Sequence, residues 1–277
     1  MHCLGWTADV KFPHLGWKAG LEWRAYYSPG VEKLEPETYR SMAQLEQRHW
    51  WFVARRKIIA KVIGTFSLPP DAKILEAGSG TGGNLKMLSE FGLVTGMEPS
   101  ELARSFVQER GNWHVVDGSL PGGVPFEDNT FDMVAVLDVL EHLDQDQESL
   151  SALVRSLKPG GMVLVTVPAF PFLWSAHDET HHHRRRYRRR QIVEVLNQSG
   201  LQTTYATYFN SILFLPAVAV RMTKRLLKRQ TADMQSLPAT PINQILTWLF
   251  GLERFVIPTI RLPAGLSLLV IGQKPAA

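Results

Sequence analysis

The chain has 277 residues, of which 45% are hydrophobic and 20% are charged, and its formal net charge is +4. This composition excludes a disordered, collagen-like or disulfide-framed protein, and the length suits one large α/β domain with embellishments. The single cysteine, Cys3, excludes an internal disulfide and indicates a reducing compartment.

The positive charge is concentrated in two segments. Residues 181–190 carry six Arg and no acid, and residues 221–229 carry three Arg and two Lys, also without an acid. Outside these segments acidic residues outnumber basic ones. Each segment is therefore a candidate surface for an anionic partner.

Targeting signals are not apparent in the first residues. Residues 1–34 read as an irregular extension, without the basic start and apolar run of a secretory signal. The longest apolar stretch, residues 212–220, is under half of the roughly 20 residues that span a bilayer. We expect a cytoplasmic protein, with the inner face of the membrane as a second location.

Residues 35–70 predict an N-terminal helical cap, because apolar residues keep helical spacing until Pro69 and Pro70 stop it. Strands and helices then alternate. Five apolar segments predict strands, at residues 73–78, 93–98, 113–116, 131–138 and 162–168. Helices are predicted over residues 84–91, 99–110 and 147–157.

This alternation implies an α/β fold with a doubly wound, mostly parallel sheet. Residues 71–208 would form a Rossmann-like cofactor-binding core, and strands at 201–208 and 266–272 raise the sheet to seven strands. Residues 209–263 form an apolar and basic helical insertion before the last strand and tail, 264–277. We expect the insertion to cap the active site, or alternatively to contact an anionic membrane or a lipid-tailed substrate.

A glycine-rich turn follows the first predicted strand. Gly78, Gly80 and Gly83 fit G-x-G-x-x-G, and Glu98 lies twenty residues after Gly78. In such sheets ligands bind at the carboxyl ends of the strands, where glycine lets the backbone approach them. The same spacing suits a dinucleotide, so the spacing leaves the cofactor open.

The surrounding motifs resemble the class I S-adenosylmethionine-dependent methyltransferases, especially the quinone-biosynthesis-like branch. An acidic residue precedes the glycines in residues 74–78 (ILEAG), and residues 120–143 and 157–161 (LKPGG) resemble later family signatures in the same order. The resemblance covers roughly residues 35–211 and 265–274. It implies a Rossmann-like methyltransferase fold with S-adenosyl-L-methionine as cofactor.

Carried over residue by residue, the resemblance implies that Gly78, Gly80 and Gly82 bound the methionine part of the cofactor. It implies that Glu98 accepts hydrogen bonds from both ribose hydroxyls, which suits a carboxylate. Family members commonly place an Asp for the adenine amine where Ser119 stands, so we expect Asp117 to substitute. The remaining cofactor residues expected here are Glu76, Ser119 and Leu137.

Asp138, Glu141 and His142 have the i, i+3, i+4 spacing of one helix face. Related O-methyltransferases of quinones and of RNA ends use an E-x-x-E-H version of this motif to bind a divalent metal. We prefer a helix start with Asp138 as N-cap and Glu141 closing a capping box, and we expect no metal. His142 and His177 are the candidate catalytic bases.

Residues 174–190 resemble a family subgroup with an Asp, a spacer and a basic-Arg-Arg-Tyr run. Arg185, Arg186 and Tyr187 could hold a phosphate, pyrophosphate or carboxylate on the acceptor, the alternative being a solvated basic helix start. The N-terminal residues 46–52 (EQRHWWF) also resemble that subgroup, whose helices close over the cofactor. His49 is a further substrate-binding and base candidate.

These features predict transfer of a methyl group, with oxygen favoured as the accepting atom, on a small or lipid-linked acceptor such as a quinone-like molecule or a glycan intermediate. No Asn/Asp-Pro-Pro-aromatic motif follows the fourth strand, and Cys3 lies far from the sheet, which disfavours methylation of nucleic-acid bases. Base-reading positions are not identifiable, so no nucleic-acid partner is expected. The alternatives are a nicotinamide-dependent oxidoreductase and a cofactor-binding protein without catalysis.

Overall fold

A computed structural model describes residues 35–227 and 236–276. The predicted extension at residues 1–34 and the basic residues Lys228 and Arg229 lie outside the described residues. The strands are β1 (Lys73–Ala77), β2 (Leu93–Met97), β3 (His114–Val116), β4 (Phe131–Leu137), β5 (Leu157–Pro168), β6 (Gln202–Phe209) and β7 (Ser267–Gln273). The α-helices are α1 (Pro36–Leu45), α2 (Trp50–Ile63), α3 (Leu85–Leu88), α4 (Glu101–Arg110), α5 (Asp146–Ser156), α6 (Ala176–Thr180), α7 (Arg189–Gln198), α8 (Phe214–Leu226) and α9 (Thr240–Gly251).

The described strands form one seven-stranded sheet in the order β3-β2-β1-β4-β5-β7-β6. The first five strands are parallel, whereas β7 runs antiparallel between β5 and β6. The order reverses beside β1, and ligands bind at such a switch point in open α/β sheets. The predicted doubly wound, mostly parallel sheet is thus confirmed.

Side chains alternate between the two faces of the sheet along each strand, so apolar residues lie on both faces. Helices pack on both faces and bury these residues. On one face Leu75 and Ala77 belong to a core that α5 and α7 complete. On the other face Ile74 and Met133 pack in a core with Ile58 of α2. The strands therefore read as continuous apolar runs, as expected for a parallel sheet that is buried on both sides.

Three elements have bounds in the structure that differ from those predicted from the sequence. The helical pattern of residues 35–70 is divided into α1 and α2, because the chain turns at residues 46–49 and His49 caps α2 by accepting a hydrogen bond from Trp51 N at 3.3 Å. The helix predicted over residues 84–91 is limited to α3. The strand predicted at residues 162–168 begins five residues earlier, at Leu157, and pairs as β5 with β4 through a register shift.

The insertion between β6 and β7 contains α8, α9 and a 3-10 helix, Leu252–Phe255. The buried carboxylate of Glu253 anchors its start by accepting backbone N–H groups of Asn210, Ser211 and Ile212. Helix α9 packs against α2. Within the described ranges, no helix is both long and apolar enough to cross a membrane. The division of the chain into cap, core and insertion stays a prediction.

Candidate active site

The glycine-rich turn lies at the carboxyl end of β1. Gly78 and Gly80 have φ angles of 74° and 52°, which side chains rarely adopt. The N–H groups of Gly78 and Ser79 both donate to Met97 O, which ties the turn to the end of β2. A Cβ on Gly80 would meet only Met42 Cε at 3.8 Å, so this glycine borders open space.

Glu98 follows β2 and is buried beside this turn, with 5% exposure. Its two carboxylate oxygens accept the N–H groups of Gly80 at 2.9 Å and Ser100 at 3.0 Å. Burial raises the pKa of Glu98, and these hydrogen bonds oppose the shift. Each oxygen has a second lone pair, so the carboxylate can still accept two adjacent hydroxyl groups.

A cavity of about 1120 Å³ opens from the glycine-rich turn along the carboxyl ends of the strands. Helices α1 and α2, the ends of β2 and β4, the segment after β5, and helices α8 and α9 all contribute to its lining. The cavity is large enough for a ligand of drug size or larger. Of the expected cofactor residues, those that line it are Gly78, Gly80, Glu98, Ser119 and Leu137.

Three expected cofactor residues lie outside the lining. Asp117 is exposed and pairs with Arg104 at 2.8 Å, and the adenine role expected for it stays a prediction. Gly82 faces Val107 of α4. Glu76 is buried below the turn and accepts a hydrogen bond from Asn84 Nδ2 at 2.7 Å, while its Oε2 has no partner among the described residues. Burial raises the pKa of Glu76 to about 8.

The N-terminal helices are fastened over the turn by Glu46, whose role sequence reasoning missed. Thr81 Oγ1 donates to Glu46 Oε1 at 2.7 Å, and Arg110 of α4 forms an ion pair with the same oxygen. In the sequence this contact is indicated only by an acid in the predicted helical cap and an arginine at the end of the helix predicted over residues 99–110.

Tyr39 of α1 lies near Glu98. Burial, followed by the charge of Glu98, raises the pKa of Tyr39 to about 12. His49 is buried as the cap of α2, outside the cavity lining, so the base role expected for it is not retained.

The expected N-cap role of Asp138 is wrong. Asp138 has a φ of 58°, and the following 3-10 helix, Leu140–His142, begins after Val139 without a side-chain cap. The Asp138 carboxylate lies 2.6 Å from Arg55 of α2 and accepts a hydrogen bond from Thr166 of β5. A partner distant in sequence therefore replaces the local cap.

Four histidines gather at the end of the cavity beyond β4. The ring centroids of His142 and His183 are 4.7 Å apart, and those of His177 and His181 are 4.3 Å apart. All four line the cavity. Burial lowers the pKa of His142 and of His177 to about 3, so both imidazoles are neutral at neutral pH. The two expected bases are thus brought together, but each is a weak base.

His183, which sequence reasoning did not single out, has a carboxylate partner. Its Nδ1 lies 2.8 Å from Asp178 Oδ1. Asp178 is fully buried, and its Oδ2 accepts a hydrogen bond from Ser175 N in a capping box. Although burial opposes ionisation, His183 and Arg186 hold the pKa of Asp178 well below its usual range. An ionised Asp fixes the orientation of an imidazole, as in known catalytic dyads.

The arginine run is engaged within the protein. Arg186 is buried, with Nε 2.7 Å from Asp178 Oδ1 and a hydrogen bond to Ala169 O. Arg185 pairs with Asp146 at 3.0 Å, and the Tyr187 hydroxyl donates to the same carboxylate at 2.7 Å. Arg185 and Tyr187 do not line the cavity. Arg186 does line the cavity, while its guanidinium pairs with Asp178. The substrate-holding role expected for the three residues stays a prediction.

Glu141, His142 and His183 each offer a ligand atom within 4.8 Å of the others, a set that could hold a divalent ion. This set leaves out Asp138, which pairs with Arg55. Burial and the neighbouring Asp138 raise the pKa of Glu141 well above its usual range. The expectation that the reaction needs no metal stays a prediction.

Residues 75–165 match a family model described as a methyltransferase domain. A glycine/sarcosine/dimethylglycine N-methyltransferase of Actinopolyspora halophila is 31% identical over 42% of this chain and 22% of its own length. A demethylmenaquinone methyltransferase of Tropheryma whipplei is 29% identical over 44% of this chain and 48% of its own length. The chain thus spans half or less of these curated relatives.

Solved structures share the fold. A SAM-dependent methyltransferase from Archaeoglobus fulgidus has a TM-score of 0.54 at 16% identity, covering 86% of this chain and 99% of the other. The cyclase SpnF has a TM-score of 0.51 at 18% identity, covering 80% and 82%. At these identities the likeness concerns the fold alone. Residues 75–165 thus match a methyltransferase domain, and the cofactor is S-adenosylmethionine.

Proposed function

We propose that this protein is a methyltransferase that transfers a methyl group from S-adenosylmethionine to an oxygen of a small or lipid-linked acceptor. The observation that carries the proposal is the shared cavity, which joins the glycine-rich turn and Glu98 to the histidine cluster. One end suits a cofactor with adjacent hydroxyls, and the other end has groups that can take a proton.

Gly78, Gly80, Glu98, Ser119 and Leu137 would hold the cofactor, because they line one end of the cavity. When bound, the cofactor supplies an activated methyl group on a sulfonium. Glu76 lies below the turn, outside the cavity lining, and its raised pKa leaves it mostly protonated near neutral pH, so it is not among the residues proposed to hold the cofactor.

His183 is the proposed base for the acceptor hydroxyl, because Asp178 orients its ring and stabilises the charge that develops on it. His142 and His177 lie beside it and complete a polar end for the acceptor. Positioning of the hydroxyl is the larger task, since the methyl group is already activated.

Water is excluded by the N-terminal helices. Met42, Trp51 and Phe52 line the cavity, and Glu46 fastens them to the glycine-rich turn through Thr81. A dry site strengthens the electrostatic interactions within it and protects the reactive methyl group from hydrolysis.

The acceptor region is largely apolar. Its lining consists of Leu213, which precedes α8, together with Pro216, Ala217, Val220 and Arg221 of α8 and Leu246 of α9. This surface favours an acceptor with an apolar part, such as a quinone-like molecule or a lipid-linked glycan intermediate, which would be reached at the inner face of a membrane. Arg185 and Arg186 are engaged by acids, so an anionic group held by them is not part of the proposal.

The test is methyl transfer from tritiated S-adenosylmethionine to lipid and glycan extracts of cells that lack this protein. We expect label in an extractable product that is stable to mild base, as expected for an ether, with wild type and with the His182→Asn control. The His183→Asn variant should label it at a rate lower by roughly 10²-fold or more. Label on nitrogen, or label independent of His183, would contradict the proposal.

A further inference from the structure

Exposed apolar side chains of the described chain are concentrated in residues 212–260. Of the described large hydrophobic residues with exposed side chains, only Leu93, Phe172 and Trp174 lie outside that stretch. Those within it are Ile212, Leu215, Val220, Leu227, Leu237, Ile242, Ile245, Trp248, Phe255 and Ile260. A concentration of this kind marks an interaction site, whereas single exposed apolar residues are ordinary.

Helix α9 is apolar on both sides. Its inner side presents Phe250, whose ring stacks on Phe209 at 6.1 Å and meets Trp50 at 6.0 Å. Ile242, Ile245 and Trp248 are exposed at spacings of three residues, which places them on a common outer side. A surface helix normally carries polar residues on its outer side, so these exposed apolar side chains are unusual.

Helix α8 repeats the arrangement. Leu215 is exposed, and Ala219 and Thr223 follow it at spacings of four residues on the solvent side. Ala217 and Arg221 line the cavity, so one helix borders both solvent and the acceptor region. The segment around Phe172 joins this surface, because Arg221 donates a hydrogen bond to Leu173 O at 3.1 Å.

The charged residues of residues 210–263 indicate which kind of partner would bind this surface. Residues 210–263 contain two acids, Asp233 and Glu253, and the Glu253 side chain is buried on backbone N–H groups. The basic residues of the same segment are Arg221, Lys224, Arg225, Lys228, Arg229, Arg254 and Arg261. The Arg254 guanidinium lies 4.5 Å from the centre of the exposed Phe255 ring, so a cation and an aromatic ring stand together.

We propose that helices α8 and α9 with residues 252–261, here called the α8–α9 face, dock on a bilayer that contains anionic phospholipids. Apolar side chains enter the boundary between headgroups and acyl chains, and the excess of basic over acidic residues in residues 210–263 favours an anionic surface. A second copy of the chain fits less well, because two copies of this basic segment would repel one another. The inference deepens the proposed function and rests on it in one respect: the cavity behind this face would receive lipid-linked acceptors.

The test is flotation of the full chain with vesicles of phosphatidylcholine alone or mixed with phosphatidylglycerol. We expect binding to the mixed vesicles, weaker binding at high salt, and little binding to phosphatidylcholine alone. The double variant Ile245→Ser/Trp248→Ser should bind mixed vesicles roughly tenfold less or weaker still. Leu93→Ser is the matched control, since Leu93 is 67% exposed and Trp248 is 64% exposed, and it should bind like wild type.

The proposal is overturned if wild type ignores the mixed vesicles, or if the double variant binds them as wild type does. It is also overturned if gel filtration shows a dimer that the double variant loses while vesicles stay unbound, because the face would then join two copies. Titration with S-adenosylhomocysteine separates this failure from that of the enzyme. If the protein binds vesicles but does not bind S-adenosylhomocysteine, only the proposed function is contradicted. If it binds S-adenosylhomocysteine but does not bind vesicles, only the docking proposal is contradicted.

Discussion

Asp178 Oδ1 lies 2.8 Å from His183 Nδ1, and the same oxygen lies 2.7 Å from Arg186 Nε. The acid is fully buried, so its orientation is fixed by these two partners and by Ser175. One carboxylate thereby holds both a cavity-lining histidine and an arginine of the basic run. This relationship orders the arginine inside the protein and is the basis of the catalytic role proposed for His183.

His183→Asn should lower kcat by roughly 10²- to 10⁴-fold, the range of a general base, with cofactor affinity unchanged. His182→Asn is the control, because His182 is the adjacent histidine and does not line the cavity. Steady-state kinetics with a hydroxyl acceptor and calorimetry with S-adenosylhomocysteine measure the two quantities. Equal losses in both variants would remove His183 from the reaction.

Glu98→Ala should weaken S-adenosylmethionine binding by about 1.5 to 3 kcal/mol, since hydrogen bonds to a charged acceptor are lost. Asp117→Ala should leave the affinity as it is, because Asp117 is exposed and outside the cavity lining. Calorimetric titration of both variants decides between the two acids. A larger loss in the Asp117 variant would reverse the assignment.

Gly80→Val should abolish cofactor binding in a folded protein, because the new side chain would project into the cavity. A side chain is also strained at a φ of 52°, and Gly160→Val supplies the control for strain. Gly160 has a φ of 77°, has no atom within 4 Å of the position that a Cβ would take, and does not line the cavity. Normal cofactor binding by the Gly80 variant, or its loss in the Gly160 variant, would contradict the assignment.

Glu76 should make stability depend on pH. Burial raises its pKa from 4.5 to about 8 in the folded protein. The folded state therefore holds the proton more tightly than the unfolded state, so the contribution is complete below about pH 4.5 and is lost as the pH rises through about 8. Urea denaturation across this range should show a decline that Glu76→Gln reduces. An identical pH profile for the variant would show that Glu76 titrates normally.

The parallel part of the sheet was predictable because its strands are short segments rich in apolar residues and bounded by turn residues, and these are local properties. The glycine-rich turn and Glu98 were predictable for the same reason, since both directly follow strands. The break between α1 and α2 was not, because His49 supplies a cap with its ring nitrogen and the apolar spacing continues past it.

Pairings distant in sequence account for the rest. Asp138 was expected to cap a helix, but Arg55, more than eighty positions earlier, takes its carboxylate. Arg185 and Tyr187 were expected to face substrate, but both bind Asp146. Charge runs show that cations are present without showing which acids the fold brings to them. His183 was overlooked because three consecutive histidines look alike in sequence, and only Asp178 distinguishes this one.

The central claim, that the cavity is a methyltransferase site, is tested most directly by calorimetric titration of the wild-type protein with S-adenosylhomocysteine and, separately, with NAD. The glycine-rich turn fits the spacing of both cofactor classes, so the two ligands compete as explanations of one site. We predict saturable binding of S-adenosylhomocysteine that Glu98→Ala weakens, and no binding of NAD. Saturable binding of NAD without binding of S-adenosylhomocysteine would contradict the account.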